Sequence, residues 1–185
     1  GDSGLSDERV MSLLYDRRGQ FWVGTMEGGL HRLRSGRDRF EVFRNDPARP
    51  SSLSANGVMA LLEDRRGALW VGTFGGGLNR LDRDATAFTA FRNDPKDASS
   101  LSRDVVTALA EDPSGAVWVG TEGGGLNRLD PREGRFQRFA HDPVDPGSLV
   151  DDTIYSLHVD AGGTLWVGTR GGLSTSYTFA RDGEY

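Results

Sequence analysis

The residues able to do chemistry are few. There are three histidines, His31, His141 and His158, none spaced with another histidine or a carboxylate as metal ligands are. The sequence has no cysteine, which removes disulfides and thiolate sites. Four aspartates each stand three residues before a glycine: Asp16, Asp64, Asp112 and Asp160. Such carboxylates invite calcium, but no further ligands follow at EF-hand-like spacing. They read instead as turns in which Asp caps backbone N–H groups. The glycine runs at 75–77 and 123–125 lack the Lys-Ser/Thr ending of a phosphate loop and open no helix, so they read as tight hairpin turns. Glu122 with Arg170 is the nearest thing to an acid–base pair, and it is weak. The expectation is therefore a chain without catalytic residues, metal or cofactor.

The elements that hold these residues repeat. Trp22, Trp70, Trp118 and Trp166 follow one another at intervals of 48 residues. Leu5, Leu53, Leu101 and Leu149 keep the same step, as do Gly19, Gly67, Gly115 and Gly163. A period held by three kinds of landmark means one unit used four times. The repeats span about 5–52, 53–100, 101–148 and 149–185, the last truncated, so the whole of 1–185 is one array.

Within the second unit, Val58-Met59-Ala60-Leu61-Leu62 is a short apolar run suited to a buried strand. Asp64-Arg65-Arg66-Gly67 is a turn, and Leu69-Trp70-Val71-Gly72-Thr73 a second strand. After Gly75-Gly76-Gly77, Leu78-Asn79-Arg80-Leu81 alternates as a third strand, and Phe88-Thr89-Ala90-Phe91 forms a short outer one. Four strands in a period of about 40–50 residues describe a propeller blade. The fold class is thus all-β: a β-propeller of four tandem 48-residue, four-stranded antiparallel blades. Small residues on the first strand, Ser12, Ala60, Ala108 and Ser156, let blades approach near the axis. The tryptophans fill the wider gap further out. His158 falls on a first strand where other copies carry Leu or Ala, which points to a core or channel role.

The repeating string Leu-Trp-Val-Gly-Thr-x-Gly-Gly-Gly-Leu-Asn-Arg-Leu-Asp stands at 69–82 and, with Val first, at 117–130. Shorter forms stand at 21–25 with 28–30 and at 165–169 with 171–173. With the preceding Leu-Ser and Asp-x-x-Gly, this closely resembles the two-component regulator propeller repeat. The resemblance implies a non-enzymatic sensing region of a bacterial membrane receptor, in the periplasm or otherwise outside the cytoplasm. It implies an output part, a histidine kinase or a diguanylate cyclase, beyond this chain. Rings of this family commonly have seven blades and this chain has four. The fourth copy is also one residue shorter between Trp166 and Leu173, and its third strand at 174–177 loses the Asn-Arg-Leu-Asp signature. Either a partial ring or one completed by oligomerisation is expected, with a homodimer or higher oligomer in solution.

The formal net charge of −5 argues against nucleic acid as a partner. No apolar run reaches membrane-spanning length, so a membrane would be met only through segments outside this chain. Antiparallel connectivity puts the second-to-third turns and the inter-blade loops on one face of the disc. There the copies agree except at a few positions. After Gly-Thr stand Met26, Phe74, Glu122 and Arg170; after Leu-Ser (Leu-Val in the last copy) come pairs ending in Glu8, Asn56, Asp104 and Asp152. These eight are the candidate ligand ring, suited to a small polar ligand such as an oligosaccharide or a peptide. The other reading is ordinary variation at solvated positions. Two further function classes stay open: a protein-interaction scaffold with a flat face, and a lyase- or glycosidase-type propeller enzyme. Against the latter, Asp lies six residues before Trp, one more than in the Asp-box of sialidases.

Overall fold

The computed structural model describes residues 4–178 of the chain. They form four antiparallel sheets with strands in sequence order. The first holds β1 (Val10–Tyr15), β2 (Phe21–Thr25), β3 (Leu30–Leu33) and β4 (Glu41–Phe43). The second holds β5 (Val58–Glu63), β6 (Leu69–Thr73), β7 (Leu78–Leu81) and β8 (Phe88–Phe91). The third holds β9 (Val106–Glu111), β10 (Val117–Thr121), β11 (Leu126–Asp130) and β12 (Arg135–Phe139). The fourth has three strands among the described residues: β13 (Ile154–Val159), β14 (Thr164–Thr169) and β15 (Gly172–Thr178). Its third strand is longer than the stretch expected at 174–177. An outer strand starting near Tyr185 falls outside the described residues. The innermost strands β1, β5, β9 and β13 pack on one another in that order.

The hydrophobic cores lie between blades, not within them. Trp22 and Leu30 of the first blade meet Leu53, Val58, Leu69, Val71, Leu81 and Phe88 of the second. Trp70 and Leu78 meet the corresponding residues of the third, including Leu101, Val106 and Phe136. Trp118 and Leu126 meet Leu149, Ile154, Leu165 and Val167 of the fourth. Close approach is built into the backbone. Ala60 pairs with Gly72 across β5 and β6, and a Cβ on Gly72 would strike the Val106 side chain of the next blade. Gly120, opposite Ala108, stands in the same relation to Ile154.

The four Asp-x-x-Gly turns have one construction. Asp64 accepts from the N–H groups of Arg66 and Ala68 through Oδ1, both at 2.9 Å. Its Oδ2 accepts from the Trp70 indole N–H at 2.9 Å. Asp16, Asp112 and Asp160 hold Trp22, Trp118 and Trp166 likewise. The carboxylate thus satisfies the turn and the one polar atom of the indole six residues on, which lets the ring be buried without an orphaned donor. The turn glycines take positive φ, as Gly67 does at 80°, where a side chain would be strained. Arg32, Arg80 and Arg128 stack over Trp22, Trp70 and Trp118 at 5.1, 5.5 and 5.9 Å from the ring centroid, covering the indoles from outside.

The faces at the two ends of the row stay open. Leu13 and Tyr15 are 59% and 72% exposed on the first blade, and Trp166 and Leu173 are 38% and 59% exposed on the fourth. His158 lies on that open fourth-blade face, opposite Trp166 in the register.

Candidate ligand-binding face

Each β2–β3-type turn is a rigid clip. Thr73 donates to the Gly77 carbonyl through both its N–H (3.0 Å) and its hydroxyl (2.7 Å), and Thr121 repeats this with Gly125. The following blade then reaches back. The carbonyl of Asp104 accepts from the N–H groups of Gly75 and Gly77, and the carbonyl of Asp152 from that of Gly125. Gly77 and Gly125 have φ of 78° and 72°, and a Cβ on either would strike the carbonyl of Phe91 or Phe139. Glycine is therefore required where the clip meets the inter-blade loop. Below it, Asn79 accepts from the Ser54 N–H and donates to the Ser54 hydroxyl, and Asn127 does the same with Ser102.

The eight candidate residues divide into two sets. Asn56, Asp104 and Asp152 have their Oδ1 atoms committed to the backbone N–H of Asn45, Asn93 and His141, at 2.8, 2.7 and 2.6 Å. They pin the inter-blade loops, which accounts for their amide and carboxylate character without a ligand. Glu8 holds the same repeat position in the first blade and is exposed. The residues after Gly-Thr differ. Their backbone is fixed, since the N–H groups of Met26, Phe74, Glu122 and Arg170 donate to Arg9, Gly57, Val105 and Thr153 carbonyls. Their side chains project from that fixed backbone: Phe74, Glu122 and Arg170 are exposed and Met26 is half-buried. Arg170 pairs with Asp151 at 3.1 Å. The Asp151 carboxyl is held below its usual range, first by the Thr153 N–H and then by Arg170. Glu122 and Asp104 come together in an open depression lined also by Asn93, Arg103 and Val105.

One set of residues on this side escaped the sequence reading. The inner strands all carry a β-bulge near their first residues, between Val10 and Ser12, Val58 and Ala60, Val106 and Ala108, and Ile154 and Ser156. The residues skipped in the register are Met11, Met59, Thr107 and Tyr155. Bulges re-aim side chains at the rims of sheets. The available signal was variation at one register inside an otherwise apolar run.

Comparison with known proteins fits this geometry. Segments 4–27, 52–75, 100–123 and 148–171 match the two component regulator propeller repeat. The chain belongs to this family. Among solved structures, this regulator propeller resembles the extracellular domain of BT4673 from B. thetaiotaomicron, described as a one component and as a hybrid two component system. The TM-score is 0.77 at 26% identity over 94% of this chain and 22% of that one. The extracellular domain of the hybrid two component system BT3049 from the same organism gives 0.80 at 24% identity, over 94% and 24% of the two chains. A virginiamycin B lyase from Staphylococcus aureus shares the fold, with a TM-score of 0.62 at 13% identity over 90% of this chain and 55% of that one. The regulator propeller thus spans less than a quarter of the length of the two sensor-system domains. No curated protein matches its sequence.

Proposed function

We propose that this propeller is part of the ligand-sensing region of a bacterial membrane signalling receptor, positioned outside the cytoplasm. It takes a small polar ligand, an oligosaccharide or a peptide, on the face of the β2–β3-type turns and performs no chemistry on it. One observation carries this reading. The turns are fixed by hydrogen bonds, in the first three blades from two directions, while the side chain at their tip changes from Met26 to Phe74, Glu122 and Arg170. A scaffold that holds its backbone and varies one projecting group per blade is suited to recognition. The family membership and the likeness to extracellular sensor-system domains support the location and the role. Binding would signal by favouring one packing of the parent receptor over another. Titration calorimetry of the chain against panels of neutral oligosaccharides, acidic oligosaccharides and short peptides tests this. The expected result is saturable binding of a polar ligand, lost in Glu122→Ala with Arg170→Ala while the unfolding temperature holds. Binding that survives loss of both side chains would remove the ring from this face.

A further inference from the structure

The first two seams between blades differ in charge on the side of the Asp-x-x-Gly turns. The cleft of the first seam is lined by four arginines and four carboxylates. Across it, Arg18 of the first blade meets Asp84 of the second at 2.7 Å. The depression where the second blade meets the third, about 260 Å³, is lined by Arg66, Arg128 and Arg132, with Asp130 as its one carboxylate. Arg66 stands one repeat after Arg18, and Arg132 one repeat after Asp84. The carboxylate that answers the arginine in the first seam is therefore a second arginine in the next.

The three arginines are short of acceptors. Arg66 and Arg132 are exposed, and among the described residues their side chains make no ion pair or hydrogen bond. Arg128 lies over the Trp118 ring. Its counterparts are clamped by surface carboxylates, Arg32 by Glu41 and Arg80 by Asp82, both at 2.6 Å. At the position of Glu41 the third blade carries Gln137. Arg128 donates instead to the Ser114 hydroxyl, and its ion pair is with the buried Asp112, at 3.5 Å. The Asp112 oxygens already accept from Ser114, Ala116 and the Trp118 indole, and the Arg128 Nε is buried without a hydrogen-bond partner. Asp130 has its Oδ1 committed to the Arg132 N–H.

We propose that this depression is an oxyanion site: a phosphate or sulfate group, free or as an ester, seats between Arg66 and Arg132 and takes the place that the Asp84 carboxylate holds in the first seam. Guanidinium forks suit such a group because they donate paired N–H bonds to two of its oxygens. Two like charges lining one depression repel until an anion lies between them. Arg128 lines the same depression and adds a third positive charge. The bound group bridges the second and third blades, as the Arg18–Asp84 pair bridges the first and second. The site lies on the side of the Asp-x-x-Gly turns, opposite the candidate ligand ring, and stands apart from the sensor reading.

The test is a titration of the isotope-labelled chain with inorganic phosphate, at neutral pH and with ionic strength held constant by chloride. The arginine side-chain Nε–H signals are followed by NMR. Saturable shifts at Arg66, Arg128 and Arg132 are expected, with Arg18 unmoved. Shifts that stay linear in phosphate, or that spread over all exposed arginines, overturn the site and leave only charge screening. Arg132→Asp, which copies the first-seam pair, and Arg66→Gln are each expected to weaken phosphate binding at least about tenfold, with an unchanged far-ultraviolet circular dichroism spectrum. Arg18→Gln in the first seam is expected to leave binding as it is. A folded Arg132→Asp chain that binds phosphate like the wild type overturns the proposal. Given saturable binding, methyl phosphate titrated in the same way separates the sources. Tighter binding than inorganic phosphate assigns the site to an esterified group, and equal or weaker binding assigns it to the free ion.

Discussion

The seam between the second and third blades and the open face of the fourth are built from the same residues, yet only one of them is a core. Trp70 is fully buried and Trp166 is 38% exposed. Both indoles donate to an aspartate six residues earlier, at 2.9 and 2.8 Å. The blade itself therefore sets the rotamer and the hydrogen bond, and the neighbouring blade supplies the burial. Stability in such an array is a sum of blade terms and nearest-neighbour terms, and the difference between these two indoles isolates the second kind.

Replacing Trp70 by alanine should give the largest loss, about 3–5 kcal/mol, read from urea unfolding followed by circular dichroism. Trp166→Ala, at a position 38% exposed, should cost well under half of that. Equal losses would break the comparison, since they would place the stabilising burial inside each blade.

The turn aspartates should show the same contrast at smaller size. Asp112→Ala strands the N–H groups of Ser114 and Ala116 and the buried indole N–H of Trp118. Each donor left buried costs about 1–3 kcal/mol. Asp160→Ala frees the equivalent donors beside an exposed indole, where water can replace the carboxylate, so its cost should be clearly lower. Calcium added to the wild-type chain should leave the unfolding midpoint of both turns' region unchanged, since the carboxylate oxygens already serve these donors.

The blades were legible because their landmarks are single residue types at a fixed step: Trp for the seam, Gly for the turn, Leu-Ser for the loop. The cap formed by Asp16, Asp64, Asp112 and Asp160 was legible as a turn, but its bond to the tryptophan was not. That bond depends on how two antiparallel strands fold the indole back over the turn. At the binding face, sequence variation alone grouped eight residues. It could not separate Asn56, Asp104 and Asp152 from the rest, because their partners are backbone N–H groups eleven residues earlier, at the start of the inter-blade loops. The bulged residues Met11, Met59, Thr107 and Tyr155 were hidden for a related reason. A register break is a property of two strands together, and its one trace in the sequence was the variation at a single register inside an apolar run.

A first-blade substitution offers a pH probe that does not involve the open ends. His31 stands where Asn79 and Asn127 stand, and it is fully buried. Its Nε2 accepts from the Ser6 N–H at 3.2 Å and lies 2.7 Å from the Ser6 hydroxyl. Burial lowers its pKa from 6.5 and outweighs the opposing backbone of Val23; Arg44 lowers it further, with Gly29 and Asp7 opposing more weakly. The folded state thus prefers neutral imidazole, while the unfolded chain takes up a proton near pH 6.5. The contribution is fully present above that pH and is lost as pH falls toward the depressed folded value. His31→Asn should remove this acid-side loss of stability, because asparagine makes the corresponding bonds in the next two blades. An unchanged pH profile in His31→Asn would place the acid sensitivity elsewhere.

The smallest effect is expected at the turn tips, and it is the one that bears on function. Glu122 and Arg170 are exposed, and Arg170 pairs with Asp151 at the surface, a kind of contact that contributes little to stability. Alanine at either position should therefore leave the unfolding midpoint nearly unchanged. The tip backbone would stay where the Val105 and Thr153 carbonyls hold it. A binding loss in these variants would then be a loss of contact and not of structure. A large stability loss instead would mean that the tips are part of the seam, and the division between a rigid clip and a variable tip would fail.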